Sequence, residues 1–134
     1  MDVFVDGASS GSPGLSGAGI VLVSDNLHEQ KAIFLGTMTN HEAEFLAAKR
    51  GLELALTFNP TLIRLYSDSK IVVSSIEKQY AKNPLFKAHL DEILKLIEQI
   101  PLFFVNYRHV SQNKKADELA RQAIQNAKKG KTPK

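Results

Sequence analysis

Met1-Asp2-Val3-Phe4-Val5-Asp6-Gly7-Ala8-Ser9-Ser10 opens the chain. Its alternation of Val3 and Val5 with Phe4 and Asp6 predicts a short apolar strand that delivers Asp6 at its carboxyl end, with the chain reversing just beyond. Taken alone, Asp6-Gly7 is an ordinary turn pair, since both residues suit tight turns sterically and through local hydrogen bonds. The other acidic residues decide whether this carboxylate is more than that.

With 134 residues the chain has the size of one domain, and it can bury a core without covalent staples. A hydrophobic content of 43% and a charged content of 23% are those of a water-soluble globular protein. No apolar run approaches the roughly 18 residues that a membrane span requires. The amino terminus shows neither a basic segment ahead of an apolar one nor a cleavage site, so secretion is not expected. The absence of cysteine excludes disulfides, thiolate metal sites and cysteine nucleophiles, and it fits a reducing cytoplasm. The net charge of +3 leans toward a polyanionic partner, but part of the excess lies in Lys128, Lys129, Lys131 and Lys134.

Beyond Asp6, the glycine- and serine-rich segment 7–19 reads as a loop into a second strand at Ile20–Val23. It is not a nucleotide-binding loop. It lacks both the Gly-Lys-Ser/Thr ending and the G-x-G-x-x-G pattern, and β-branched residues follow where a helix would be needed. A third strand is expected within 28–36 after the turn cluster Ser24-Asp25-Asn26. From Asn40 the period changes: Phe45, Ala48, Leu52, Ala55 and Leu56 recur at helical spacing, with Thr39 or Asn40 as cap. Leu62–Tyr66 predicts a fourth strand, and residues 69–80 a helix. A second amphipathic helix runs from Pro84 to Ile100, and Leu102–Tyr107 is the fifth strand. Asn113 is expected to cap a last helix striped by Ala116, Leu119, Ala120, Ala123, Ile124 and Ala127. A single domain is therefore expected over 1–128, with a flexible basic tail at 129–134. The fold class is α/β, a five-stranded mixed sheet in which three antiparallel strands precede parallel crossovers, flanked by helices.

If the first and fourth strands are parallel neighbours, Asp6 and Asp68 emerge together at one end of the sheet, where open α/β sheets bind ligands. Glu44 lies early in the first long helix, on a ridge of small residues, and Asp117 lies early in the last. Singly, each reads more simply as a cap, a dipole partner or a solvated carboxylate. Gathered near one point they would repel one another and raise their own pKa values unless cations shared the site. Oxygen ligands without cysteine suit Mg2+ or Mn2+ better than Zn2+.

These residues resemble type 1 ribonuclease H over nearly the whole chain. The resemblance rests on Asp6-Gly-Ala-Ser with Pro13-Gly14 and Gly17-Ala-Gly19, and on Thr39-Asn40-x-x-x-Glu44 with Ala47-Ala48. It continues through Ser67-Asp68-Ser69 and ends with His109 ahead of Asn113 and Ala116-Asp117-Glu-Leu-Ala120. It implies that Asp6, Glu44, Asp68 and Asp117 bind two Mg2+ ions, with Mn2+ as a possible substitute, and that His109 assists turnover. The implied reaction is endonucleolytic hydrolysis of RNA in RNA–DNA hybrids, leaving 5′-phosphate and 3′-hydroxyl ends, by a monomer that needs no membrane. Contacts to the hybrid would fall near Ser9, Gly11, Ser12, Thr39 and Asn40, in the wide minor groove.

Three departures stand out. Ser12 replaces a common asparagine, His41-Glu42 replaces polar and basic residues, and no lysine- and tryptophan-rich protrusion occurs between Tyr80 and Leu90. Glu42 is expected on the outer rim of its helix, near the uncleaved strand, where its charge would weaken binding. The alternative function is a nucleic-acid-binding module of the same fold with little or no cleavage.

Overall fold

The computed structural model describes residues 1–130. Five strands, β1 (Asp2–Ser9), β2 (Gly14–Ser24), β3 (Leu27–Met38), β4 (Leu62–Ser67) and β5 (Leu102–Tyr107), form one sheet in the order β3-β2-β1-β4-β5. β1 pairs antiparallel with β2, and β2 antiparallel with β3; β1–β4 and β4–β5 are parallel. The helices are α1 (Asn40–Leu56), α2 (Lys70–Lys78), α3 (Pro84–Glu98) and α4 (Lys114–Lys128). The mixed sheet is the one the sequence predicts, because each helical crossover forces the strand after it to run parallel. Of the tail expected at 129–134, residues 131–134 lie outside the described residues.

Alternation along the strands sorts the two faces. Val3, Val5, Ile20, Leu22, Ile63 and Leu65 are fully buried on the side of α1. Helix α1 presses Phe45, Ala48, Leu52 and Ala55 into that layer, and Phe45 stacks on Phe86 of α3 with ring centroids 5.0 Å apart. Helix α4 lies on the opposite face, across β1, β2 and β3. The helix starts obey local chemistry: the Thr39 hydroxyl accepts from Glu42 N, Ser69 from Val72 N, and Asn83 from Leu85 N and Phe86 N, with Pro84 in the first turn of α3.

Three expectations are corrected. β1 does not end at Asp6 but runs to Ser9, and the segment 7–19 is mostly strand, with only Ser10–Pro13 left as the turn. The glycines there make room for helices. A Cβ on Gly7 would stand 2.3 Å from Ala43 O of α1, and one on Gly17 would stand 2.5 Å from Ala120 O of α4. Asn113 does precede α4, yet its side chain makes no cap bond there. Its Nδ2 donates instead to Val5 O at 2.9 Å, tying the start of α4 to β1.

Candidate active site

The β1–β4 ladder stops at the pair Val5–Ser67, so the next residues, Asp6 and Asp68, emerge side by side where the parallel pairing ends. Asp6 also faces Gly19 across the continuing β1–β2 ladder. Gly7 lets the first turn of α1 settle onto the strand, which places Glu44 next to the two aspartates. Gly19 does the same for α4: a Cβ there would lie 1.8 Å from Ala116 O, and the next residue is Asp117. Asp6, Glu44, Asp68 and Asp117 accordingly line one cleft of about 460 Å³, with Ser9, Asn40 and Arg121 on its walls.

The carboxylates perturb one another. Asp6 is buried, and its pKa is pushed up to about 9, first by burial and then by the charge of Asp68, with hydrogen bonds to Asp68 and Asp117 adding to the effect. Asp68 is raised as well, chiefly by burial, while the hydrogen bond from Asp6 pulls it down. The consistent picture is a proton held on Asp6 and shared toward Asp68. Glu44 is raised by burial and partly relieved by His41, whose Nδ1 donates to Glu44 Oε1 at 3.0 Å. On the far wall Arg121 Nε donates to Asp117 Oδ2 at 3.0 Å.

Of the residues expected to touch a hybrid, Ser9 and Asn40 line the cleft, whereas Gly11, Ser12 and Thr39 do not. The Thr39 hydroxyl is engaged as the α1 cap, and the Ser9 hydroxyl donates to Met38 O at 2.9 Å, which leaves the backbone of Ser9 and the side chain of Asn40 as cleft groups. His109 stands at the end of β5 outside the lining, near enough to Asp68 for their charges to interact. Its Nδ1 accepts from Ser111 N at 3.2 Å, so the neutral ring carries its proton on Nε2. Sequence reasoning missed His41 as a partner of Glu44, and it missed the wall of Arg121, Gln125 and Lys128. The signal for that wall was present: these residues follow Asp117 at helical spacing along one face of α4.

Glu42 is not on an open rim. Its Oε2 accepts from His89 Nε2 of α3 at 2.9 Å, with both side chains mostly buried. Helical residues two apart diverge, and here the diverging direction meets α3 instead of solvent. The motive that Glu42 supplied for a binding module without cleavage therefore falls away.

A sheet in the order β3-β2-β1-β4-β5 with α4 on one face and the other helices opposite defines the ribonuclease H-like fold. The profile of the family described as "Reverse transcriptase-like" matches residues 4–123. The protein named "Putative hydrolase EbsB" of Enterococcus faecalis is 45% identical over 127 residues, covering 93% of this chain and 94% of that protein. Ribonuclease H of Chlorobium limicola is 31% identical over 142 residues, covering 94% and 96%. Among solved structures, RNase H1 of Halobacterium salinarum superposes with a TM-score of 0.88 at 27% identity, covering 93% of this chain and 97% of that one. LC11-RNase H1 in complex with an RNA/DNA hybrid superposes with a TM-score of 0.87 at 26% identity, covering 94% and 97%. The chain belongs to the ribonuclease H-like superfamily.

The donor set fits hard divalent cations. It consists of carboxylate oxygens around a buried aspartate whose ionisation the fold resists until positive charge arrives. Among the described residues no group of three or more acidic or histidine side chains is arranged so that it could hold a metal ion as it stands. Open, partly hydrated sites held by few carboxylates are the usual arrangement for Mg2+.

Proposed function

We propose that this protein is a Mg2+-dependent ribonuclease H that hydrolyses the RNA strand of RNA–DNA hybrids and leaves 5′-phosphate and 3′-hydroxyl ends. It would act as a monomer through one domain spanning residues 1–128. The observation that carries this reading is the convergence of Asp6, Glu44, Asp68 and Asp117 on one cleft. Hybrid as substrate is supported by the ribonuclease H relatives and by the hybrid complex of LC11-RNase H1.

Asp6, Glu44, Asp68 and Asp117 would hold two Mg2+ ions, for which Mn2+ can substitute. When bound, the ions supply an activated water on one side of the phosphorus and a neutralised leaving oxygen on the other. The chain's own contribution is placement. Asp6, at the centre and buried, gives up its proton on loading, and Asp68 and Glu44 flank it from β4 and α1. Asp117 closes the far side, where Arg121 restrains its carboxylate through the 3.0 Å bond. The exposed Ser10 and Asn40 edges of the cleft offer short polar groups to a minor groove rich in 2′-hydroxyls. His109, with Nε2 protonated and directed away from its bond to Ser111, can hand a proton to a departing oxygen or loosen product.

The direct test is incubation of a hybrid, labelled in each strand in turn, with and without Mg2+. Cuts in the RNA strand alone, dependent on the cation and carrying 5′-phosphates, are expected. Cleavage of the DNA strand, or an intact hybrid at saturating Mg2+, would overturn the reading. In the same assay His109→Ala is expected to slow turnover by about one to three orders of magnitude. Divalent-ion binding, followed by calorimetric titration, should survive in that variant. If ion binding is lost with His109, the residue is a ligand and its proposed role is wrong.

A further inference from the structure

On the face of the sheet that carries α4, the helix covers β1, β2 and β3 and stops short of β4 and β5. Among the described residues, the outer half of this face has no covering layer. The strand registers put Phe4 beside Tyr66, and Arg64 beside Phe104. The result is an aromatic surface on which Phe104 is exposed and Phe4 and Tyr66 are half-buried. Phe104 is 48% exposed and Leu102 50%, on an edge strand where soluble proteins ordinarily place charge.

The rings are organised. Phe4 and Tyr66 stack with centroids 4.9 Å apart and planes 13° from parallel. The Arg108 guanidinium sits 5.2 Å from the first centroid and 5.0 Å from the second, while its backbone is pinned by a 2.8 Å bond from Arg108 N to Ser67 O. Beside this stack a cavity of about 230 Å³ opens between Phe4, Arg108, Lys114 and Lys115.

Charge selects the occupant. Asp2 lies on this surface, where it is paired with Arg64 at 2.6 Å. Lys115 has only a loose 3.7 Å contact with Glu118, and Arg108 and Lys114 have no acidic partner among the described ion pairs. Stacked rings, a guanidinium plane and unmatched cations fit bases and phosphates together. A duplex buries the faces of its bases and could use only the cations, so the ligand is an unpaired strand. The surface is also continuous with the carboxylate cleft. Phe4 and Asp6 share one side of β1 about 7 Å apart, and Lys114 lies one helical turn from Asp117 on α4.

We propose that this open face binds a single-stranded nucleic acid, its bases stacking on Phe104 and on the Arg108–Phe4–Tyr66 stack and its phosphates meeting Lys114 and Lys115. Neither contact senses a 2′-hydroxyl, so RNA and DNA bind alike. The surface would hold the unpaired flank of a nucleic acid whose paired part lies in the cleft.

The test uses the full chain in EDTA, with fluorescein-labelled oligo(U) and oligo(dT) dodecamers titrated by anisotropy. Both probes are expected to bind with similar affinity that weakens as salt rises. Phe104→Ala is expected to weaken both by about tenfold. The double variant Lys114→Glu, Lys115→Glu should weaken them further and flatten the salt dependence. These lysines are exposed, so the double variant remains informative if Phe104→Ala fails to fold. No measurable binding by the wild type, or undiminished binding by a folded variant of either kind, overturns the proposal. So does sedimentation showing a dimer that Phe104→Ala dissociates, which would give the face to a second copy of the chain. Because the readout is binding without cleavage, the result stands apart from whether the hybrid is cut.

Discussion

Asp6→Asn is expected to lower turnover on a hybrid by about a thousandfold or more, and to make the metal-free protein more stable than the wild type. The first effect follows from deleting the central charge of a set that stabilises a phosphoryl transition state by several kcal/mol. The second follows from the sign of the pKa shift. A carboxyl moved from 3.8 to about 9 by folding ionises less readily in the fold than in the unfolded chain. Its stabilising contribution is complete below the unfolded value, and stability is lost as pH rises from there through the folded value. Near neutral pH the wild-type cluster therefore strains the fold. An asparagine keeps the volume without the charge and should raise the melting temperature by about 5 °C. Added Mg2+ should raise the wild-type melting temperature and leave the variant nearly unmoved. Calorimetric melts at pH 5 and pH 8, run beside cleavage assays, measure all of this. A variant that keeps a tenth of the activity, or that melts below the wild type at pH 8, would show that Asp6 is neither central nor strained.

Gly19→Ala is expected to destabilise the protein by about 3 kcal/mol or more and to reduce cleavage in the molecules that remain folded. The new Cβ would stand 1.8 Å from Ala116 O, with Ala116 C and Ala120 N each at 2.8 Å. All three are backbone atoms of one helix, so no side-chain rotation can relieve the clash. Helix α4 must lift off β2, and it carries Asp117 with it. A displacement of about 1 Å at a catalytic carboxylate can cost around a hundredfold in rate. Urea unfolding and cleavage under folding conditions separate the two effects. An unchanged urea midpoint would show that α4 sits farther from the sheet than the glycine contact requires.

The site was legible to different depths at different residues. Leu102–Tyr107 is a strand with the bounds read from its composition, because a β-branched and aromatic run between Pro101 and a polar loop leaves no competing conformation. Helix α1 was legible for a similar reason: its buried residues repeat at helical spacing after a cap. The segment 7–19 was misread because glycine is locally ambiguous. It suits a turn, and it equally suits a strand on which a helix must rest. Only the positions of α1 and α4, both later in the chain, distinguish the two.

By itself the sequence determined the element order, the parallel pairing that helical crossovers impose, and the four carboxylates that the fold gathers where the β1–β4 pairing stops. Those follow from periodicity and chirality, which act over a few residues at a time. Only the tertiary structure decided that Glu42 is held by His89, that His41 reaches Glu44, that Arg121 holds Asp117, and that the β4–β5 face stands open beside Arg108. Each of these depends on how closely one element lies against another, and that distance is set by the side chains and glycines of both surfaces together.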